Sequence, residues 1–525
     1  MNKIWILGFL VLLNSITTNR EKSNTILNSA QEEVEEILHV LYETNGNFQF
    51  EIPKLYIDTS TFNIALYYPK RNEIRLEYKA YEICKSFGKY GKDALAFIIG
   101  HELSHAYQAK QLKTINRTSY LAFDYIDNGK KHLENSADIH GVFNAYLAGF
   151  ESNEILPALL DSLYTTYHLK NKKLRRYPSL KERQNTAHNV LKKVAKLSMI
   201  YENASYLMAI GEYELAAVSL EYIESEYKGR EIYNNLGVNY ALAAMNMGGK
   251  NIDPFLYPLE IDFDSKLKKP ETYRGDDLSV DEIKNRQEFL GRAKKYLEIA
   301  KVFDPTYFIA DVNYMCVLNL TGQYQEVVDY YQEEELIQKA ATYQIEEHTV
   351  QLAKSALAIA YARLNTSSSK TKAKAIWEEQ KKSIDPMIAL LGNSNLEKLK
   401  RRLFKPRQPK ECYQPFDIFN RVDGVTIQRV RLDDFFALRE DNTIKMALQE
   451  KKQSVIAQFH KNGFKFTLQR VHTIPEKYIW KQQKTKGEFI SLSDGLFHIC
   501  EEDEVIFKYD KEGVLQEWAK FQGFN

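Results

Sequence analysis

A chain of 525 residues is too long for one hydrophobic core and predicts about three domains. Its 44% hydrophobic and 27% charged content is ordinary for soluble globular protein. A formal net charge of +1 removes the electrostatic reason to expect nucleic acid as a partner.

Met1-Asn2-Lys3 is a short positive start, followed by an apolar run from Ile4 to Leu13. That run is too short to span a bilayer and fits the h-region of a secretory signal, so residues 1–20 are predicted as a signal peptide and the protein as exported, to the periplasm or cell envelope. A helix retained as a membrane anchor is the alternative. No cysteine follows for a lipid anchor, and no other segment is apolar enough to cross a membrane. Asn24 to Tyr42 reads as a polar helix with Val34, Ile37, Leu38 and Leu41 on one side. Residues 48 to 78 alternate as strands do, with Phe50, Ile52, Leu55 and Ile57, then Ile74, Leu76 and Tyr78.

From near Asp93 an apolar helix carries His101-Glu102-Leu103-Ser104-His105. Histidines at i and i+4 lie one above the other on a helix face, so both imidazoles reach one ion. The glutamate between them is placed to take a proton from an attacking water. Leu95, Phe97, Ile98, Ile99 and Leu103 make this helix too apolar for a solvated one. Gln108 to Lys131 is expected as a loop or short helix, and its Asn116-Arg117-Thr118 sequon is discounted. A second helix bears Glu134 and Asp138, also i and i+4. A catalytic zinc wants three protein ligands and an open position, which makes Glu134 the natural third ligand after His101 and His105, with one Zn²⁺ per chain. Asp138, a turn further on, is placed to accept the other ring N–H of a ligating histidine. His132 and His140 flank the Glu134 helix; His140, six residues beyond Glu134 on a different face, reads as structural, and Lys170 to Arg176 as a solvated basic face leading into Tyr177.

From Tyr201 the pattern changes to helices at tetratricopeptide spacing. Gly211-Glu-Tyr213, Tyr233 to Tyr240, Ala293 to Pro305, Gly322-Gln-Tyr324 and Ala373 to Pro386 mark successive units, with Gly248 to Asp281 as an inserted loop. Stacked helix pairs form a concave surface that holds a peptide or a protein partner. Lys398 to Lys410, with Pro406 and Pro409, reads as a linker. Beyond it Asp423-Gly424, Asn462-Gly463 and Asp494-Gly495 punctuate alternating runs, predicting a β-rich C-terminal domain for docking or binding. Its histidines, His460, His472 and His498, fall on different strands. Cys84 and Cys316 are expected as buried free thiols, and Cys412 and Cys500 as a pair that an oxidising compartment can join.

Ala94-Leu-Ala-Phe-Ile-Ile-Gly-His-Glu-Leu-Ser-His-Ala106, Glu134-Asn-Ser-Ala-Asp-Ile-His-Gly141 and Leu147-Ala-Gly-Phe150 resemble the HtpX-like zinc peptidases, gluzincins related to the CAAX prenyl proteases. Pro53 to Ile57 and Asn63-Ile-Ala65 resemble the strand region before that family's metal helix, and Tyr177-Pro178-Ser179 with Arg183 its His-Pro-Ser segment; the likeness covers about residues 50 to 195. Tyr177 stands where many members have histidine. The resemblance implies an exported metalloendopeptidase acting on misfolded or unassembled envelope proteins, with Glu102 as general base and Tyr177 or Arg183 as oxyanion donor. An edge strand beside the metal then holds the peptide substrate by main-chain hydrogen bonds, and Asn72–Tyr78 and Thr61–Tyr67 are the candidates. The predicted architecture is multidomain α+β: a zinc metallopeptidase domain over residues 21–200, tetratricopeptide-like repeats over 201–400 and a β-rich domain over 411–525. The rival readings are a chaperone or assembly scaffold that binds partners through its repeats, and an enzyme autoinhibited by the inserted loop or the β domain.

Overall fold

The computed structural model describes residues 27–61, 63–115, 126–151, 155–169, 180–247, 255–260, 280–333, 336–400, 435–438, 443–451, 454–472, 488–492, 495–500 and 504–522. The signal segment, Tyr177, the Asn116 sequon, Asp423-Gly424 and Cys412 lie outside them. So does the side chain of Arg183, whose backbone is helical. The chain is mixed α+β, mostly helical in its N-terminal and middle regions, with an antiparallel β-sheet at the C-terminus. It divides into two compact units, Met1–Ser198 and Met199–Asn525.

In the first unit, helix α1 (27–45) buries Ala30, Val34, Ile37, Leu38 and Leu41 on one side, the 3.6-residue stripe read from the sequence. A small sheet follows, of strands β1 (Lys54–Asp58), β2 (Ala65–Tyr68) and β3 (Glu73–Glu77), in the order β1-β3-β2. β3 is central, parallel to β1 and antiparallel to β2. This removes Asn72–Tyr78 as the edge strand, because β3 has a strand on each side; the edge overlapping Thr61–Tyr67 remains. On the opposite side of the sheet α1 closes β1: Gln31 Nε2 donates to the Leu55 carbonyl at 2.6 Å, and the Ile57 N–H donates to Gln31 Oε1 at 2.9 Å. Helices α2 (Tyr78–Lys85), α3 (Gly91–Ile115), α4 (Ile126–Leu147) and α5 (Leu156–Thr166) complete the unit. Helix α3 therefore runs on to Ile115, and α4 begins at Ile126, so Gln108–Ile115 and Ile126–Lys131 of the span expected as a loop or short helix belong to these two helices, and residues 116–125 lie outside the described ones. Cys84 is a buried free thiol, which burial pushes up to about 12.

Helix α6 (Leu180–Ala209) runs across the division. The second unit continues with α7 (Tyr213–Glu224), α8 (Arg230–Asn246), α9 (Val280–Phe303), α10 (Phe308–Leu320), α11 (Tyr324–Glu333), α12 (Leu336–Thr342), α13 (Glu347–Leu364), α14 (Ser367–Gln380) and α15 (Pro386–Lys400). Helices α7 to α10 pack each against the next; α10 then packs against α13, α13 against α14, and α14 against α15. Gly211 and Gly322 both turn the chain in a left-handed conformation, at φ +83° and +80°, before a new helix. Part of the expected insertion is no outlying loop. Phe255, Tyr257 and Leu259 are buried among these helices, and α9 begins at Val280. Cys316 is likewise a buried free thiol.

The C-terminal sheet has strands β4 (Phe436–Ala437), β5 (Ile444–Lys451), β6 (Ser454–Lys461), β7 (Phe464–Val471), β8 (Glu488–Leu492), β9 (Gly495–Cys500), β10 (Val505–Asp510) and β11 (Leu515–Gln522), in the order β4-β5-β6-β7-β11-β10-β9-β8. Asn462 and Gly463, at φ +50° and +86°, form the two-residue turn between β6 and β7 whose twist matches the flanking strands. The sheet packs on α6. Tyr206 meets Phe497 at 4.7 Å between ring centroids, and buried Arg470 reaches Glu202 Oε2 at 2.5 Å and Glu517 Oε1 at 3.7 Å. His460 and His498 lie on β6 and β9, and His472 follows β7.

Candidate metal centre

Where α3 packs on α4, glycine faces glycine. A Cβ on Gly141 would lie 2.7 Å from the His101 backbone nitrogen and 2.9 Å from the Gly100 carbonyl carbon; one on Gly100 would lie 3.0 Å from the Gly141 oxygen. The two backbones thus touch one residue before His101. Glu134, Asp138 and Gly141 share one face of α4, at i, i+4 and i+7, so this contact aims both carboxylates at the histidines. Asn144, one turn further, anchors α4 by donating to the Leu41 carbonyl at 2.8 Å.

His101 and His105 present their Nε2 atoms to one another at 3.1 Å. Glu134 Oε2 lies 3.5 Å from His101 Nε2, and Glu134 Oε1 lies 3.4 Å from His105 Nε2. The outer ring nitrogens fix the tautomers. His101 Nδ1 is 2.7 Å from Asp138 Oδ1, an ion-pair distance without the alignment of a hydrogen bond, and the carboxylate draws the ring proton to that side. His105 Nδ1 is 2.9 Å from Gln108 Oε1, and Gln108 Nε2 donates to the Leu133 carbonyl at 3.0 Å. That second bond sets which way the Gln108 amide faces, so its oxygen must accept from His105. With both Nδ1 atoms protonated, both Nε2 atoms carry lone pairs, and a carboxylate faces them. Two ring nitrogens and a carboxylate converge on one place, which a proton or a metal cation can fill.

In the metal-free chain a proton performs that task. Burial disfavours a charged His101, but Asp138, Glu134 and Glu102 outweigh it and hold the imidazole up to about 10. A metal ion fits the same place. One ligand atom from each of the three residues lies within 4.8 Å of the others, close enough for all three to reach one ion at ordinary zinc–ligand distances of about 2.1 Å. Among the described residues His101, His105 and Glu134 form a group able to hold a metal ion. Two imidazoles and a carboxylate suit zinc among other transition ions.

Glu102 is buried beside this group. Its Oε2 accepts the Tyr67 backbone N–H at 2.8 Å, tying the carboxylate to β2. The approach to β2 is itself anchored, since buried Glu77 Oε1 accepts from Ser60 Oγ at 3.0 Å and from the Asn63 N–H at 2.8 Å.

The structure thus brings together His101, His105, Glu134 and Asp138 as the sequence spacing expects, with Glu102 at their side. The sequence reading missed Gln108, Gly100 and Gly141. Periodicity holds the signal for them: Gln108 lies seven residues after His101, and Gly141 seven after Glu134, each on its ligand's own face. No protein-family model matches this chain, and no curated protein matches it significantly in sequence.

Proposed function

We propose that the chain is a zinc-dependent metalloendopeptidase of the HtpX-like kind, exported to the cell envelope, where its helical repeats bring misfolded or unassembled proteins to the metal domain. The observation that carries the proposal is the convergence of two Nε2 lone pairs and the Glu134 carboxylate beside a buried glutamate. One Glu102 oxygen satisfies the Tyr67 N–H. When bound, zinc supplies Lewis acidity, polarising the scissile carbonyl and acidifying water. Glu102 serves as general base and then as proton donor to the leaving amine. The Tyr67 N–H holds one oxygen of that carboxylate and leaves the other to move the proton. Asp138 and Gln108 keep both histidines in the tautomer that faces Nε2 inward. β2 has a strand neighbour only in β3 among the described residues, and its outer edge can hold an extended substrate backbone. Tyr177 and Arg183 are proposed as oxyanion donors from their place in the sequence alone.

The test is Glu102→Gln in the full chain with unfolded casein as substrate. Zinc content unchanged and cleavage lost is the expected result; cleavage at the wild-type rate removes Glu102 from the mechanism. A second reading, a scaffold that handles partners through its helices with proteolysis secondary, is favoured by one observation, the buried asparagines Asn234, Asn313 and Asn395 on α8, α10 and α15. Partner handling that is the same in Glu102→Gln and in wild type supports it.

A further inference from the structure

Residues 255–260, Phe-Leu-Tyr-Pro-Leu-Glu, lie against α8, α10, α13, α14 and α15 in a manner that a covalent connection between α8 and α9 does not require. Asn395 on α15 donates to the Leu256 carbonyl at 3.1 Å and accepts the Leu256 N–H at 2.7 Å. Asn313 on α10 does the same for Glu260, donating to its carbonyl at 2.6 Å and accepting its N–H at 2.9 Å. Asn234 on α8 adds a second donor to the Glu260 carbonyl at 3.2 Å, and its own Oδ1 accepts from Asn313 at 2.8 Å. All three asparagines are fully or almost fully buried.

A residue whose N–H and C=O both face one side-chain amide is in extended conformation, where the two groups point the same way. Two such residues four apart belong on the same edge of an extended chain, which repeats every second residue. The helices therefore hold this segment as a strand is held, through main-chain groups, with side chains filling sockets between the asparagines. Phe255, Tyr257 and Leu259 are buried, and Phe255 packs on Trp377 at 5.3 Å between centroids under the Arg363 guanidinium at 5.2 Å. At the other end His348 Nε2 lies 3.5 Å from Glu260 Oε1, while its Nδ1 bonds Asp385 at 2.5 Å.

We propose that the face lined by Asn234, Asn313, Asn395, His348 and Trp377 is a peptide-binding groove, occupied in cis by residues 255–260, which an extended apolar segment of another polypeptide ending in an acidic residue displaces. The groove reads backbone first, so it tolerates varied sequences, and the His348 end favours a carboxylate. The proposal rests on the helices alone and stands whether or not the metal site cleaves peptide bonds. Short tethers give a cis segment an effective concentration on the order of millimolar, so a free peptide must compete against that.

The test uses the full chain with residues 255–260 replaced by alternating Gly and Ser, and a dye-labelled peptide with the sequence of residues 253–262. Anisotropy should show binding at least tenfold tighter to the emptied chain than to wild type. Methylating the peptide nitrogen at the position of Leu256 removes one donor without touching the protein, and should weaken binding at least tenfold. A scrambled peptide of the same composition reports non-specific apolar binding. If the emptied chain is destabilised, the peptide in excess must raise its melting temperature, since a ligand of the folded state stabilises by mass action. An emptied chain that neither binds the peptide nor is stabilised by it assigns the segment to a permanent core and overturns the proposal, as does equal binding of the N-methylated or the scrambled peptide.

Discussion

Replacing Gly141 by alanine perturbs the contact that sets the distance between α3 and α4. The added Cβ stands 2.7 Å from the His101 nitrogen, whereas an unstrained contact needs about 3.5 Å, so the helices must part by about 0.8 Å. A metal site tolerates donor displacements of only about 0.2 Å. Overpacking costs about 1–3 kcal/mol, and exchanging glycine for alanine within a helix returns about 1 kcal/mol, so the net loss of stability is small while the donors are pulled apart. We expect Gly141→Ala to melt within a few degrees of wild type in the metal-free state and to bind zinc at least tenfold more weakly. Gly100→Ala, whose Cβ meets the Gly141 oxygen at 3.0 Å, should show a smaller loss. Gly291→Ala on α9, with nothing within 4 Å, supplies the propensity control and should stabilise by about 0.5–1 kcal/mol. Zinc affinity by competition with a chromophoric chelator, beside calorimetric melting, measures all three. A Gly141→Ala chain that binds zinc within twofold of wild type refutes the claim that glycine contact positions the ligands.

The His101 imidazole sets a pH dependence with a definite sign. Its folded value of about 10 exceeds the unfolded value of about 6.5, so in the metal-free chain its charge stabilises fully below the lower value. That contribution is lost as pH rises through the upper one. Zinc takes the place of this proton, so zinc affinity should rise about tenfold per pH unit between about pH 7 and pH 9; a flat profile contradicts the assignment. Gln108→Ala frees the His105 ring and should weaken zinc about 10- to 100-fold, whereas Gln108→Asn, too short to bridge His105 and Leu133, should rescue little; zinc titration of both variants decides. Arg470→Ala removes a buried guanidinium together with its pairing to Glu202 and to half-buried Glu517, and should lower the denaturant midpoint. A midpoint equal to wild type refutes that docking role.

The residues that chain-local periodicity can place were legible. Histidines and carboxylates four apart must share a helix face whatever surrounds them, so His101 and His105, and Glu134 and Asp138, were readable as pairs. Asn462-Gly463 likewise names its turn, because few other dipeptides adopt two positive φ angles at low cost. The edge strand was not legible, since alternation marks a strand but not its neighbours, and only the order β1-β3-β2 separates β2 from β3. The groove escaped for a related reason. Its asparagines sit in three helices distant in sequence, and residues 255–260 look like a loop because they have no internal periodicity.

By itself, the sequence determined which side chains stand together on each helix, because backbone geometry fixes that without reference to the rest of the chain. Only the tertiary structure decided that the two helices meet glycine to glycine, and that Glu134 thereby comes within 3.4–3.5 Å of both imidazoles. The separation of two helices depends on the bulk of whatever lies between them. That is a property of pairs of residues, and no single stretch of chain records it.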